Sequence, residues 1–289
     1  MWLLFDNLDK GWPTQGLGHD DVLIIRSLLE ATRKLEREFG RHDIVGHSVV
    51  FLRNDVYELL VEETPDRGKE SRVAVDWTDP DTLRELVRKR FVFGGLPAEW
   101  SFERAWLAVC VSHVDGEESS QYLIDRCLMR PRCLIDILKY CRGCAVNLGH
   151  SQIAVEDIRK GLYTYSCDLA LDLGLEIRDV LPEADKLIYK FLEQPSHLRA
   201  DQIDALLAGF SPELREGFVE SLLWYGFLGL RRADGETDYI YDVNYDMNIL
   251  RALIAKSADD GSPVYSINPA FWSGLRIRTE LRSGGPTGR

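Results

Sequence analysis

Asp6 and Asp9 stand three residues apart, directly after the apolar run Trp2-Leu3-Leu4-Phe5. A buried strand ending in a carboxylate presents an oxygen ligand for Mg²⁺, and a second acid just beyond is placed to orient a water. The same pair could instead cap a turn. Arg53 and Asn54 follow a second apolar run, Ser48-Val49-Val50-Phe51-Leu52. Polar groups there can sense a phosphate or hydrogen-bond an attacking water; a solvated strand end is the alternative. Arg130 and Arg132 flank Pro131 at a helix start. A guanidinium opposes the helix dipole at that end. An anion shared between the arginine and the helix amides would justify it; pairing with surface carboxylates is the plainer option.

The elements that must position these residues begin with alternating strand and helix. After the opening strand, Asp20 and Asp21 cap a helix over 22–39, whose Leu23, Arg26, Ser27, Leu28, Glu30 and Ala31 carry the amphipathic spacing, and Gly40 ends it. The second apolar run reads as a buried parallel strand and Val73-Ala74-Val75-Asp76-Trp77 as a third. Asp79-Pro80-Asp81 caps a helix over 82–91. Strand and helix in alternation imply right-handed crossovers and a parallel sheet, with ligands outside the carboxyl ends of its strands. Residues 100–180 read as all helical.

From 183 to 275 the pattern is three helices (183–194, 199–207, 212–226), then Phe227–Arg232, an Asp234-Gly235 turn and Tyr239–Val243. Three helices and a hairpin describe a winged helix. A DNA reader would want cations on the third helix and wing. Residues 183–272 instead hold 8 Lys/Arg against 15 Asp/Glu, a net of −7. Only Arg231 and Arg232 cluster, as the DNA or partner contact. Protein docking is therefore favoured over DNA reading.

Composition agrees. The 289 residues are 45% hydrophobic and 28% charged, enough for two or three domains with real cores. A net charge of −12 argues against a general binder of nucleic acid or anionic membrane. No apolar run reaches the roughly 18 residues of a spanning helix, and the first residues lack a signal-peptide pattern. Six irregularly spaced cysteines suit reduced thiols in a cytoplasm. Cys141-Arg142-Gly143-Cys144 lies in a helical stretch, which favours buried structural thiols over a zinc knuckle. The six histidines fall singly, and no catalytic triad or HExxH pattern appears.

The order Phe5-Asp6-Asn7-Leu8-Asp9, Val50-Phe51-Leu52-Arg53-Asn54-Asp55, Val75-Asp76-Trp77, Arg130-Pro131-Arg132 and Tyr163-Thr164-Tyr165-Ser166 resembles bacterial P-loop ATPases of the AAA+/STAND-like group. KAP NTPases and the origin-recognition initiators share that outline. The resemblance implies a Walker B strand with Asp6 on Mg²⁺ and Asp9 orienting water. It implies sensor 1 at Arg53 or Asn54, and sensor 2 at Arg132 or, second, Arg130. Mg²⁺ and ATP would be the cofactors of the intact domain. One element departs: no G-x-x-x-x-G-K-[ST] occurs, and the nearest sequence, Arg67-Gly68-Lys69-Glu70-Ser71, lacks the first glycine and the hydroxyl after the lysine.

The expected fold class is thus α/β then α: a truncated P-loop core over 1–95, a helical lid over 96–182, a winged helix over 183–275 and a disordered tail over 276–289. In the usual strand order, 5-1-4-3-2, the phosphate-loop strand is missing, which predicts a closed gap or an incomplete sheet with Trp2–Phe5 as an apolar edge. The expected function is an ATPase-derived regulator that does not hydrolyse ATP alone. Its partner would be a protein, the missing ATPase segment or a second copy of the chain. The alternative is a winged-helix regulator without nucleotide chemistry.

Overall fold

The computed structural model describes residues 1–8, 19–52, 56–57, 60, 73, 75, 77–184, 186–259 and 261–279. It divides into two compact units, Met1–Ala74 and Val75–Arg289.

In the first unit, β1 (Trp2–Phe5), α1 (His19–Arg41) and β2 (His47–Val50) follow one another, and the strands pair in parallel with Trp2 opposite His47 and Phe5 opposite Val50. Parallel pairing requires a crossover, and α1 supplies it. The buried face of α1 is Val22, Ile25 and Thr32, with Leu29 packed beside them. That 3-4-3 spacing is helical, but it runs over different positions from those expected; Leu23 and Ile24 are exposed. Val22 and Ile25 join Val56 and Leu60 in a small core that takes in Leu8 and Leu52.

The expected third strand is not seen. Val73, Val75 and Trp77 carry no strand pairing among the described residues. The sheet of the first unit is two-stranded, and Trp2 and Leu4 are 66% and 63% exposed along β1.

The second unit opens with α2 (Pro80–Phe93) and α3 (Phe102–Val109). Asp79 caps α2 by accepting the Asp81 amide at 2.9 Å, with Pro80 in the first turn. Ser101 caps α3 in the same way. A small hairpin, β3 (His113–Val114) and β4 (Glu117–Glu118), turns through Asp115 and Gly116, both at positive φ, into α4 (Ser119–Ile124). Two long helices follow, α5 (Pro131–Leu148) and α6 (Val155–Val180).

These two helices approach closely where Gly161 faces Cys141. A Cβ at Gly161 would lie 2.6–2.8 Å from the amide nitrogen, Sγ and Cα of Cys141. Only glycine fits.

The remainder folds against α6. Where a helix over 183–194 is expected, two 3₁₀ turns occur, Pro182–Ala184 and Leu187–Phe191. Lys186, at φ 64 in the left-handed region, breaks the chain between the turns. Then come β5 (His197–Arg199), α7 (Ala200–Leu206), α8 (Pro212–Trp224), β6 (Leu228–Arg231) and β7 (Thr237–Asp238). The returning strand is at 237–238 rather than 239–243. Tyr239 begins a turn, its amide donating to Asp242 Oδ2 at 2.9 Å, and Asn244 and Tyr245 at positive φ lead out of it.

Several elements were not expected: the β3–β4 hairpin, in a stretch expected to be all helical, β5, α9 (Met247–Asp259) and β8 (Val264–Ile267). The strand β8 lies inside the sheet. The order is β5-β8-β6-β7, antiparallel throughout.

One core runs from Leu83 to Ile277, so the helical half and the sheet half form one packed body. Its centre is an aromatic chain: Phe227 stands edge-on to Phe191 at 5.0 Å and to Phe271 at 4.8 Å, all three buried. Gly274 donates its amide to the buried Ser166 hydroxyl of α6 at 2.9 Å, tying the end of the described chain to the long helix.

Two substitutions test this packing. Phe227→Ala is expected to cost about 3–5 kcal/mol of unfolding free energy, and Gly161→Ala about 1–3 kcal/mol by forcing α5 and α6 apart. Chemical denaturation measures both; a neutral Gly161→Ala would mean that the helices separate freely.

Candidate functional site

The residues singled out by the sequence fall in both units. Asp6 follows β1 directly, at the carboxyl end of the parallel pair, and is exposed. Its Oδ1 accepts the amide of Asn7 at 2.8 Å, with Asn7 at φ 58. This is a tight carboxylate-capped turn, the plainer of the two readings of Asp6, and it leaves the side chain at the solvent-facing strand end. Asp9, Arg53 and Asn54 lie outside the described residues, as does the 67–71 segment.

In the second unit, Arg130 is the N-cap residue of α5 and is half-buried. Burial pulls down the pKa of its guanidinium, but the Tyr245 hydroxyl, Cys133 and Glu176 nearby outweigh this and raise it. Arg130 is therefore engaged by the loop leading to α9 and anchors the two halves of the unit. Arg132 is exposed in the first turn of α5. The two arginines thus separate into an anchored one and a solvent-facing one.

Arg231 and Arg232 are both engaged within the sheet half. The Arg231 guanidinium sits against His197 Nε2. Arg232 pairs with Asp234 and Asp238, each at 3.3 Å. A cation already paired has less to offer a phosphate.

Arg231 belongs to a polar network that spacing alone did not reveal. His197 Nδ1 lies 2.9 Å from Ser266 Oγ, and Thr237 Oγ1 donates to Ser266 Oγ at 3.0 Å. These side chains come from β5, β6, β7 and β8. They converge because the sheet order brings residues 197, 231, 237 and 266 onto neighbouring strands. The histidine ring thus sits beside a guanidinium on one nitrogen and a hydroxyl on the other.

The network borders a groove of about 470 Å³ between α4 and the sheet, lined by Asp125, Thr237, Tyr239, Asp242, Ser266 and Trp272 among others. Beside it Arg126 stacks on Tyr122, its guanidinium carbon 3.5 Å from the ring centroid. The groove mixes aromatic faces, hydroxyls and three carboxylates, those of Asp125, Glu236 and Asp242. It suits a partner that brings hydrogen-bond donors or a positive charge.

Three of the thiols, Cys110, Cys127 and Cys141, are buried. Burial raises Cys110 to about 11 and Cys127 to about 12, and it pushes Cys141 up strongly too. Such groups stay protonated and unreactive. One cluster of metal-ligating composition occurs among the described residues: His150, Glu156 and Asp157, at the junction of α5 and α6.

The groove carboxylates make the unit pH-sensitive. Partial desolvation raises Asp125 against the hydrogen bond from Gln121, and raises Asp242 against that from the Tyr239 amide, although both residues stay exposed. The folded state then holds these protons more tightly than the unfolded chain, so stability falls as pH rises from the usual carboxylate value of about 4 toward the raised values. The double substitution Asp125→Asn, Asp242→Asn should flatten that slope in a series of thermal melts; an unchanged slope would place the titration elsewhere.

Among the described residues no helix is long and apolar enough to cross a membrane. No curated protein and no solved structure matches the chain. Residues 81–174, about a third of the chain and covering α2 to most of α6, match the model of the FunZ-associated C-terminal helical domain.

Proposed function

We propose that the chain is a regulatory protein of the P-loop ATPase type. Its first unit carries the acid half of a nucleotide site, and its second unit docks a protein. The observation that carries this reading is Asp6 at the carboxyl end of β1, in a strand paired in parallel with β2 across a helical crossover. Ligands of open α/β sheets sit at that edge, and a carboxylate there suits Mg²⁺ bound with a nucleotide's phosphates. A phosphate loop from another polypeptide segment completes the site; the chain by itself does not turn ATP over.

In the second unit, α7, α8 and the sheet β5-β8-β6 have the helix–helix–sheet succession of a winged helix, with α9 inserted before the last strand. Protein is favoured over DNA for two reasons. The segment is net acidic, and Arg231 and Arg232 are spent on His197, Asp234 and Asp238. Phosphate contacts dominate DNA affinity, and this surface offers few.

A fluorescent ATP analogue titrated with Mg²⁺ tests the first half. Weak Mg²⁺-dependent binding is expected, and Asp6→Asn should weaken it at least ~10-fold, about 1.4 kcal/mol. Binding indifferent to both Mg²⁺ and Asp6, or none at all, would remove the nucleotide reading. For the second half, a gel shift with duplex DNA at low salt is expected to show no retention. A salt-dependent shift lost in Arg231→Ala, Arg232→Ala would transfer the assignment to DNA.

A further inference from the structure

We propose that His150, Glu156 and Asp157 form a divalent-metal site, suited to Zn²⁺, that clips the end of α5 to the start of α6. His150 Nδ1 lies 2.8 Å from Asp157 Oδ2, and His150 Nε2 lies 3.3 Å from Glu156 Oε1. One ligand atom from each residue can be chosen such that all lie within 4.8 Å of one another. Tetrahedral Zn–N and Zn–O bonds of about 2.0–2.2 Å place two ligand atoms roughly 3.3–3.6 Å apart around a common ion. The His150–Asp157 pair stands closer than that, at hydrogen-bond distance, and Glu156 faces the other ring nitrogen, so taking up an ion requires the pair to open slightly and the exposed Glu156 side chain to turn.

The strongest sign of a cation is the state of Asp157. Its side chain is 0% exposed, yet only Oδ2 is partnered, by His150 and by the Ala154 amide at 2.8 Å. Oδ1 is buried without a hydrogen bond. A buried carboxylate left partly unsatisfied is costly. The first turn of α6 favours negative charge but gives Oδ1 no donor. A bound cation neutralises the whole group.

The site is also held in place before any ion arrives. Gly149, at φ 74, ends α5 in a left-handed cap, and the His150 amide returns to Ala145 O at 2.9 Å. On the other side, Ile153 pairs with Val109 and Val111, and Gln152 donates to the carbonyls of Leu107 and Cys110. One imidazole with two carboxylates fits Zn²⁺ or a similar transition ion; Mg²⁺ and Ca²⁺ take oxygen ligands. Three protein ligands leave further positions to water.

The test is Zn²⁺ titration of the chelator-treated full chain against a chromophoric chelator, with thermal melts of the same samples and the Co²⁺ spectrum. The expected result is one equivalent bound, an unfolding midpoint raised by zinc, and at least tenfold weaker binding in both His150→Ala and Glu156→Gln. Glu156→Gln is the cleaner variant, because its side chain is exposed and the zinc-free protein should melt as the parent does. Co²⁺ should bind without thiolate charge-transfer absorption. Absence of saturable binding, binding retained in both variants, or a thiolate band would each overturn the proposal.

Discussion

The contact between Gly161 and Cys141 sets the spacing of α5 and α6, and most of the second unit is built on that spacing. With no side chain at 161, the backbones approach until Cys141 is buried at 0% exposure and hydrogen-bonds Ile158 O. Close approach aligns the end of α5 with the start of α6, where His150 meets Glu156 and Asp157. Further along α6, Ser166 receives Gly274 and Ile177 packs into the shared core. The helical half and the sheet half are thus two sides of one long helix, and Arg130 reinforces the join by reaching Tyr245.

Charge is used inward as much as outward. The cations that the sequence offers for partner contact, Arg231 and Arg232, are tied to a local ring and carboxylates, and Arg126 likewise stacks on Tyr122. What remains accessible around the groove is largely hydroxyl, aromatic and acidic. An acidic, partly aromatic surface discriminates by repelling polyanions and accepting donors, a form of selection that operates on encounter rate as well as on affinity.

Local signals in the sequence were legible where a cap or a period fixes the answer. Asp79-Pro80 marked the start of α2, Pro131 the start of α5, and the dipeptide Asp234-Gly235 a turn; all three are decided within a few residues. The buried face of α1 was misplaced because Leu23 and Ile24 are as apolar as Val22 and Ile25, and only tertiary contact chooses between them. The strand β8 was missed for a related reason. Val264-Tyr265-Ser266-Ile267 is a four-residue run whose pairing partners lie 37 and 69 residues away, at Gly229 and His197, and no local pattern encodes that. The groove and the His197 network depend on this pairing, so they were hidden with it. The metal-like cluster was within reach, since His150, Glu156 and Asp157 are neighbours in sequence, but its meaning rests on the burial of Asp157, which sequence does not display.

The interior place of β8 also fixes the timing of assembly. Strand β5 pairs with β8 alone, whereas β6 pairs with both β7 and β8. A nascent chain that has emerged only as far as α9 can form the two-helix body and the β6–β7 hairpin, but β5 then has an unpaired edge. Closure awaits the last strand, a long-range step that is slow relative to helix formation. Until it occurs, the half-made sheet offers an open edge to any passing strand, so the interval between synthesis of α9 and docking of β8 is when this protein is most exposed to misassembly.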